Sequence, residues 1–244
     1  MGNNSEQRMQ IHRNLERVQE RIFAAARKTG RSPDEIKLLV VTKTHPVAVI
    51  EWVLSAGATD LGENYVEEAK RKIGAIRLNA QCTWHMIGHV QSRKSGQVVE
   101  YFDCLHSLDN LKLAQRLSAQ AREKHKTLPV LLEFNLSGEE SKSGWGVSSE
   151  SELEAFLPDI ESIIALDNLR VCGLMTMPPF FENPENARPY FRKLYRLREL
   201  LQKEFQQIDW KDLSMGMSGD FEIAIEEGAT WVRIGQAILG TRQS

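Results

Sequence analysis

Short apolar, β-branched runs alternate with helix-patterned stretches along the whole chain, and this alternation restricts the fold more than any single residue does. The runs are Leu38–Lys43, Leu61–Asn64, Thr83–Gly88, Cys104–Ser107, Pro129–Leu136, Val171–Met175, Leu213–Met215 and Trp231–Ile234. Between them lie stretches with helical spacing. These are Pro46–Ser55, a charged segment through Glu67, Lys70 and Ile73, then Gln91–Glu100, and a stripe of Leu111, Leu113, Leu117 and Ala121. A helix led by Ser148 or Ser149, a long one over Pro184–Phe205 and a short one over Phe221–Glu227 follow. Ahead of all of them, Ser5–Thr29 carries Met9, Ile11, Leu15, Val18, Ile22 and Phe23 at helical spacing, and Gly30 and Pro33 stop it.

Eight strand-like runs in 244 residues meet the requirement of a (β/α)8 TIM barrel. The predicted fold is therefore α/β: one such barrel with an extra N-terminal helix, residues 1–244 forming a single domain. A doubly wound open sheet is the rival. It calls for Gly-x-Gly-x-x-Gly after the first strand, where this chain has Thr42-Lys43-Thr44-His45-Pro46.

A barrel gathers its strand ends on one face, where barrel enzymes place their sites. Those ends are Lys43, Asn64, His85 to Gly88, His106 to Asp109, Asn135, Met175 to Pro178, Ser214 to Gly219 and Arg233 to Gly235. Nearly all are polar or glycine-bearing. Lys43 closes a buried run, so its stem packs among apolar groups while its amine reaches the mouth. Desolvation there lowers an amine's pKa and opens Schiff-base chemistry with an aldehyde. An isolated strand-end lysine is more often simply snorkelling to water.

The last two strand ends shift that balance. Ser214-Met215-Gly216-Met217-Ser218-Gly219-Asp220 and Arg233-Ile234-Gly235-Gln236 each open a helix, the arrangement of a barrel phosphate site. Ser218 can offer a hydroxyl, and Gly219 and Gly235 allow close backbone approach. A plain glycine turn with Ser218 as a helix cap reads the same way in sequence. Lysine opposite a phosphate cradle suits a phosphorylated aldehyde, with pyridoxal 5′-phosphate the leading candidate.

Composition narrows the partners. Net charge is −2, which gives no field for nucleic acid or an acidic membrane. No apolar run approaches a membrane span, and the first residues lack the core of a signal peptide. Three scattered cysteines, Cys82, Cys104 and Cys172, point to a reducing cytoplasm and to packing roles. His85 and His89 have i, i+4 spacing but fall on a strand and its turn, so no metal site is expected. Glu67–Lys72 reads as a solvated helix face held by i, i+4 pairs, and Lys142-Ser143-Gly144 as a surface loop.

Six ordered motifs now carry a resemblance: Val41-Thr42-Lys43-Thr44, Gly62-Glu63-Asn64-Tyr65, Trp84-His85-Met86-Ile87-Gly88, Gly173-Leu174-Met175-Thr176-Met177, Ser214 to Asp220, and Val232-Arg233-Ile234-Gly235. Over nearly its whole length the chain resembles the YggS/PROSC family of pyridoxal phosphate homeostasis proteins, relatives of the alanine racemase barrel domain. The resemblance implies Lys43 as the Schiff-base lysine, with Ser218, Gly219, Gly235 and Gln236 around the phosphate. It implies Arg233 near the pyridine nitrogen, Asn64 along the ring, and His85 and Met215 on the pocket wall. One departure is Arg93-Lys94 after Gln91-Ser92, where the family usually has Asn-Lys.

An arginine beside the pyridine nitrogen disfavours its protonation and weakens the ring as an electron sink. Racemisation also needs an acid/base group on each face of the ring. In alanine racemases the second is a tyrosine from another domain, and the expectation for this chain, which runs to Ser244, is that no such domain is present. The expected function is a cofactor-binding homeostasis protein without established turnover, holding pyridoxal phosphate as a Lys43 aldimine. Its expected state is monomeric, and its expected partners are apoenzymes that use the cofactor. An amino-acid racemase or lyase is the alternative. A barrel binding another phosphorylated metabolite, with Lys43 as a plain cation, is a third.

Overall fold

Parallel pairing closes the strands into a ring. The computed structural model describes residues 2–76, 81–139, 142–147 and 150–240. The strands are β1 (Lys37–Val41), β2 (Asp60–Glu63), β3 (Thr83–Met86), β4 (Cys104–Leu108), β5 (Leu128–Asn135), β6 (Trp145–Gly146), β7 (Leu169–Met175), β8 (Asp212–Ser214) and β9 (Trp231–Ile234). β1 to β5 pair in sequence, β5 continues to β7, β8 and β9, and β9 returns to β1. Eight strands therefore form a closed barrel, and β6 is a two-residue spur on β5. Closure leaves the barrel proper without an edge. The (β/α)8 fold with an added N-terminal helix is what the alternation of runs predicted.

The helices are α1 (Gly2–Lys28), α2 (Val47–Ser55), α3 (Val66–Ala75), α4 (Ser95–Tyr101), α5 (Leu111–Glu123), α6 (Glu150–Ile164), α7 (Arg188–Glu204), α8 (Phe221–Glu226) and α9 (Gln236–Leu239). Ser148 and Ser149, expected to lead α6, lie outside the described residues. Among the described residues no helix is long and apolar enough to cross a membrane. α1 lies outside the barrel against α8, α9 and α2. It buries Ile11, Leu15, Val18 and Ile22, each stabilising the docked helix by roughly 1.5–3 kcal/mol. Met9 and Phe23, expected on the same stripe, stand exposed instead, because the three neighbouring helices cover only one side of α1.

The main core fills the shell between strands and helices, and two smaller clusters lie inside the ring. One is Leu39, Ile87 and Trp231 with Val41; the other is Cys104, Leu131, Cys172 and Met175. Two glycines are fixed by this interior. A Cβ on Gly62 would sit 2.2 Å from the Leu39 side chain, and one on Gly173 would sit 1.8 Å from the Asp212 carbonyl oxygen. The rest of the interior is polar, and Asp60, His85, His106, Glu133, Ser214 and Arg233 all carry hydrogen bonds or charge there. Such groups are retained inside only when they are paired or put to use.

Candidate functional site

Lys43 follows the end of β1, and the chain turns sharply just after it. Thr44 has φ of 68°, a left-handed conformation costly for a β-branched residue unless its surroundings impose it. They do. The Thr44 N–H donates to Glu68 Oε1 at 2.5 Å, and Lys72 Nζ donates to the Thr42 carbonyl oxygen at 2.7 Å. Lys72 also pairs with Glu63 at 2.7 Å and Glu68 at 2.6 Å, while the Thr42 hydroxyl donates to Glu63 at 2.6 Å. Both peptide units flanking Lys43 are thus pinned by one buried cluster. Burial pushes the Glu63 carboxyl above its ordinary value, and the hydrogen bonds from Lys72 and Thr42 oppose that rise without cancelling it.

This cluster corrects the solvated-face reading of Glu67–Lys72. Glu67, Lys70 and Arg71 do face water, but Lys72 is only 5% exposed. Its position on the inward face of α3 beside Ala69 decides this, and Glu63 and Glu68 make the burial tolerable.

The adjoining wall comes from the loops after β8 and β9. The Met217 N–H donates to Asp220 Oδ1 at 2.6 Å, folding the loop back on itself ahead of α8. The Ala237 N–H at the start of α9 donates to Ser218 Oγ at 3.2 Å, joining the two loops. Gly235 lies close under β1, where a Cβ would come within 3.1 Å of the Val41 carbonyl oxygen. A Cβ on Gly219 would meet nothing within 4 Å.

Between these walls is a cavity of about 560 Å³, the size of an ordinary small-molecule site. Seven expected residues border it: Lys43, Asn64, Ser218, Gly219, Arg233, Gly235 and Gln236. His85 and Met215 do not. His85 points into the barrel two residues before Ile87, which does reach the cavity, so it lies one layer deeper. Met215 follows the inward-facing Ser214 and by strand alternation turns outward, fully buried in the shell core.

Arg233 forms the floor. It is 4% exposed, and its guanidinium donates to Ser214 Oγ at 2.7 Å and to the Thr176 carbonyl oxygen at 3.0 Å. Burial brings its pKa down to about 10, against the attraction of Glu133 and Asp220. Glu133 is 3% exposed, and burial with repulsion from Asp109 raises it to about 7, although Arg233 draws it down. Its Oε2 has no hydrogen-bond partner among the described residues. Sequence reading missed Glu133, and its signal was a lone charge inside the apolar run Pro129–Leu136. It also missed Asp220 as a wall residue and the rim formed by Pro179, Phe180 and Phe181, of which Phe180 is 90% exposed.

The donor set suits a phosphorylated aromatic aldehyde. An amine, glycine-bearing loops joined by Ser218, and a guanidinium below them border one cavity. The buried side-chain oxygen of Asn64 lacks a partner among the described residues, so a ligand hydroxyl at the cavity wall would satisfy it.

The family described as alanine racemase, N-terminal domain, matches residues 10–243. A pyridoxal phosphate homeostasis protein of Aquifex aeolicus is 43% identical over 229 residues, covering 94% of this chain and 97% of that protein. One from Vibrio alginolyticus is 42% identical, covering 95% and 97%. Among solved structures, PipY of Synechococcus elongatus PCC7942 with PLP bound superposes with a TM-score of 0.78 at 33% identity. The match covers 91% of this chain and 100% of that one.

Proposed function

Since this chain belongs to the alanine racemase N-terminal domain family and is related over nearly its full length to pyridoxal phosphate homeostasis proteins, we propose that it binds pyridoxal 5′-phosphate in the cavity between Lys43 and the Ser218–Gly235 corner. The observation that carries this reading is that an amine and a glycine-lined anion cradle border one cavity of suitable volume. Bound there, the cofactor supplies an aldehyde that captures amines. Lys43 would supply the amine for that capture, with water as the leaving product. Ser218, Gly219, Gly235 and Gln236 would hold the phosphate, Asn64 would line the ring, and Arg233 would serve the ring nitrogen.

Arg233 also supports a holding role over a catalytic one. A buried cation that keeps its proton repels a second proton on the ring nitrogen, and an unprotonated ring is a poor sink for carbanions. The protein, acting in the cytoplasm as a monomer, thus keeps the cofactor sequestered and passes it to apoenzymes, contributing to vitamin B6 and amino-acid homeostasis. The test is the visible absorption band of the loaded protein compared with Lys43→Ala. Loss of the band in the variant is expected, and an unchanged band would remove Lys43 from the role. Incubation with L-amino acids in deuterated solvent separates the racemase or lyase reading. Exchange at Cα at about 1 s⁻¹ or faster would favour an enzyme.

A further inference from the structure

A continuous line of hydrogen bonds crosses the barrel interior beneath the cavity. Arg233 donates to Ser214 Oγ at 2.7 Å. Ser214 Oγ lies 2.8 Å from His106 Nδ1, His106 Nε2 lies 3.0 Å from His85 Nδ1, and His85 Nε2 lies 3.0 Å from Asp60 Oδ1. Asp60 begins β2, so the line runs from the closed end of the barrel to the cavity floor.

Its two ends fix its direction. A guanidinium can only donate and an ionised carboxylate can only accept. Burial raises the Asp60 carboxyl, but hydrogen bonds from His85 and Thr59 outweigh it, with further help from the positive charge of Lys37, so the group lies below its ordinary range and is ionised. A neutral His85 then carries its proton on Nε2 and accepts at Nδ1. His106 must likewise carry its proton on Nε2 and accept at Nδ1, leaving the Ser214 hydroxyl to donate to it. Burial, with the positive charges of Arg233 and Lys37, pushes His106 well below its ordinary value, so it stays neutral. With His85 neutral every link has a single assignment, and each bond polarises the next.

We propose that Asp60, His85, His106 and Ser214 are positioning residues for Arg233, forming a one-way hydrogen-bond chain that couples the charge at the closed end of the barrel to the guanidinium on the cavity floor. A proton delivered to His85 would oblige its Nδ1 to donate. His106 would switch its proton to Nδ1, and the Ser214 oxygen would have to accept from both sides. Arg233 would lose the polarised acceptor that holds it. The charged and titratable groups facing the chain are Lys37 over the Trp231 ring, Asp212 beside Lys37, Cys104 near both imidazoles, and Glu133 and Asp220 near Arg233. His85, Cys104 and His106 bring their ligand atoms within 4.8 Å of one another, but a metal there would need both facing nitrogens as acceptors and would break the chain.

The coupling to the cofactor rests on the reading of the cavity given above; the chain itself does not. The first measurement is therefore made on the cofactor-free protein. Nitrogen-15 spectra of the histidine side chains are expected to show His85 and His106 both as neutral Nε2–H tautomers. An Nδ1–H form of either ring, or displacement of both nitrogen signals by added zinc, would overturn the proposal. The second follows the visible band of the protein loaded with pyridoxal phosphate as pH is varied. Asp60→Asn removes a negative charge, so the midpoint is expected to fall by about half a pH unit or more. His106→Asn keeps the charge of Asp60 but cuts the chain, and the midpoint is expected to fall with it. A shift in Asp60→Asn alone would reduce the link to charge acting through space and would defeat the relay. A loaded wild-type protein with no visible band would defeat the cofactor reading, leaving the tautomer spectra to judge the chain.

Discussion

The ammonium of Lys72 lies 2.7 Å from the carboxylate of Glu63, with both side chains almost sealed from water directly behind the peptide that precedes Lys43. An ion pair so placed adds little net stability over apolar packing, but it severely penalises the loss of one partner. Lys72→Met is expected to destabilise the fold by about 3–5 kcal/mol, because Glu63 is left buried and unpaired. Pairing it with Glu63→Leu should recover most of that loss. The double variant should still load cofactor poorly, since the peptide before Lys43 loses its hydrogen bond from Lys72 and Glu68, which holds the peptide after it, loses its ion pair. Denaturant midpoints and the visible band, measured on the same samples, separate the two effects.

Glu133 gives the fold a definite pH response. Its carboxyl is raised from 4.5 to about 7 in the folded chain. Between those values the folded state binds more protons than the unfolded state, so stability falls as pH rises through that window. The contribution is intact below the lower value and lost above the upper one, at a cost on the order of 3 kcal/mol. Glu133→Gln should remove this slope. Relative to wild type, the variant should gain stability between about pH 4.5 and about pH 8, measured by urea unfolding across the range. Equal slopes in the two proteins would show that Glu133 ionises normally.

Arg188 ties the helix behind the phosphate corner to its neighbours. It pairs with Glu226 and Glu227 at the end of α8 and just beyond it, each at 2.7 Å, and with Glu185 at 2.6 Å, while Lys28 of α1 reaches Glu226 at 2.5 Å. Arg188→Ala leaves Glu226 and Glu227 facing each other with less compensation. A loss of about 1 kcal/mol is expected at low ionic strength, more than for a lone surface pair because the charges form a network. At about 1 M salt, where screening extends only ~3 Å, most of the difference should vanish. Thermal unfolding at the two salt concentrations checks this.

Gly219 separates folding from binding. Since a Cβ there meets no protein atom, Gly219→Val should change stability by less than about 1 kcal/mol. The same side chain, on a residue that borders the cavity, would crowd an anion seated in the cradle. Cofactor affinity should fall tenfold or more, equivalent to about 1.4 kcal/mol, as read by fluorescence titration. Unchanged affinity would place the phosphate elsewhere.

The barrel was legible because its evidence is one-dimensional. Apolar runs such as Leu38–Val41, helix stops such as Gly30, and helix stripes such as Leu113, Leu117 and Ala121 all lie along the chain. The cavity wall was legible for the same reason, since strand ends in a barrel converge whatever their neighbours are. What stayed hidden depends on partners distant in sequence. Lys72 looked solvated because Glu63 and the Thr42 carbonyl, which hold it, are brought close only by the packing of α3 on β1 and β2. The resemblance implies His85 as a wall residue, but strand alternation shows only that it points inward and not at what depth. Met215 lies one residue past an inward-facing serine, and a three-residue strand is too short to reveal that parity from sequence alone.

The seam at which the barrel closes is also where the cavity is completed, because β9 zips onto β1 and both helices behind the anion cradle rest on α1. Lys43 is therefore synthesised long before Ser218, Gly235 and Gln236, which border the same cavity. A nascent chain emerging from the ribosome exposes that lysine but has no complete cavity beside it until its final strand has docked.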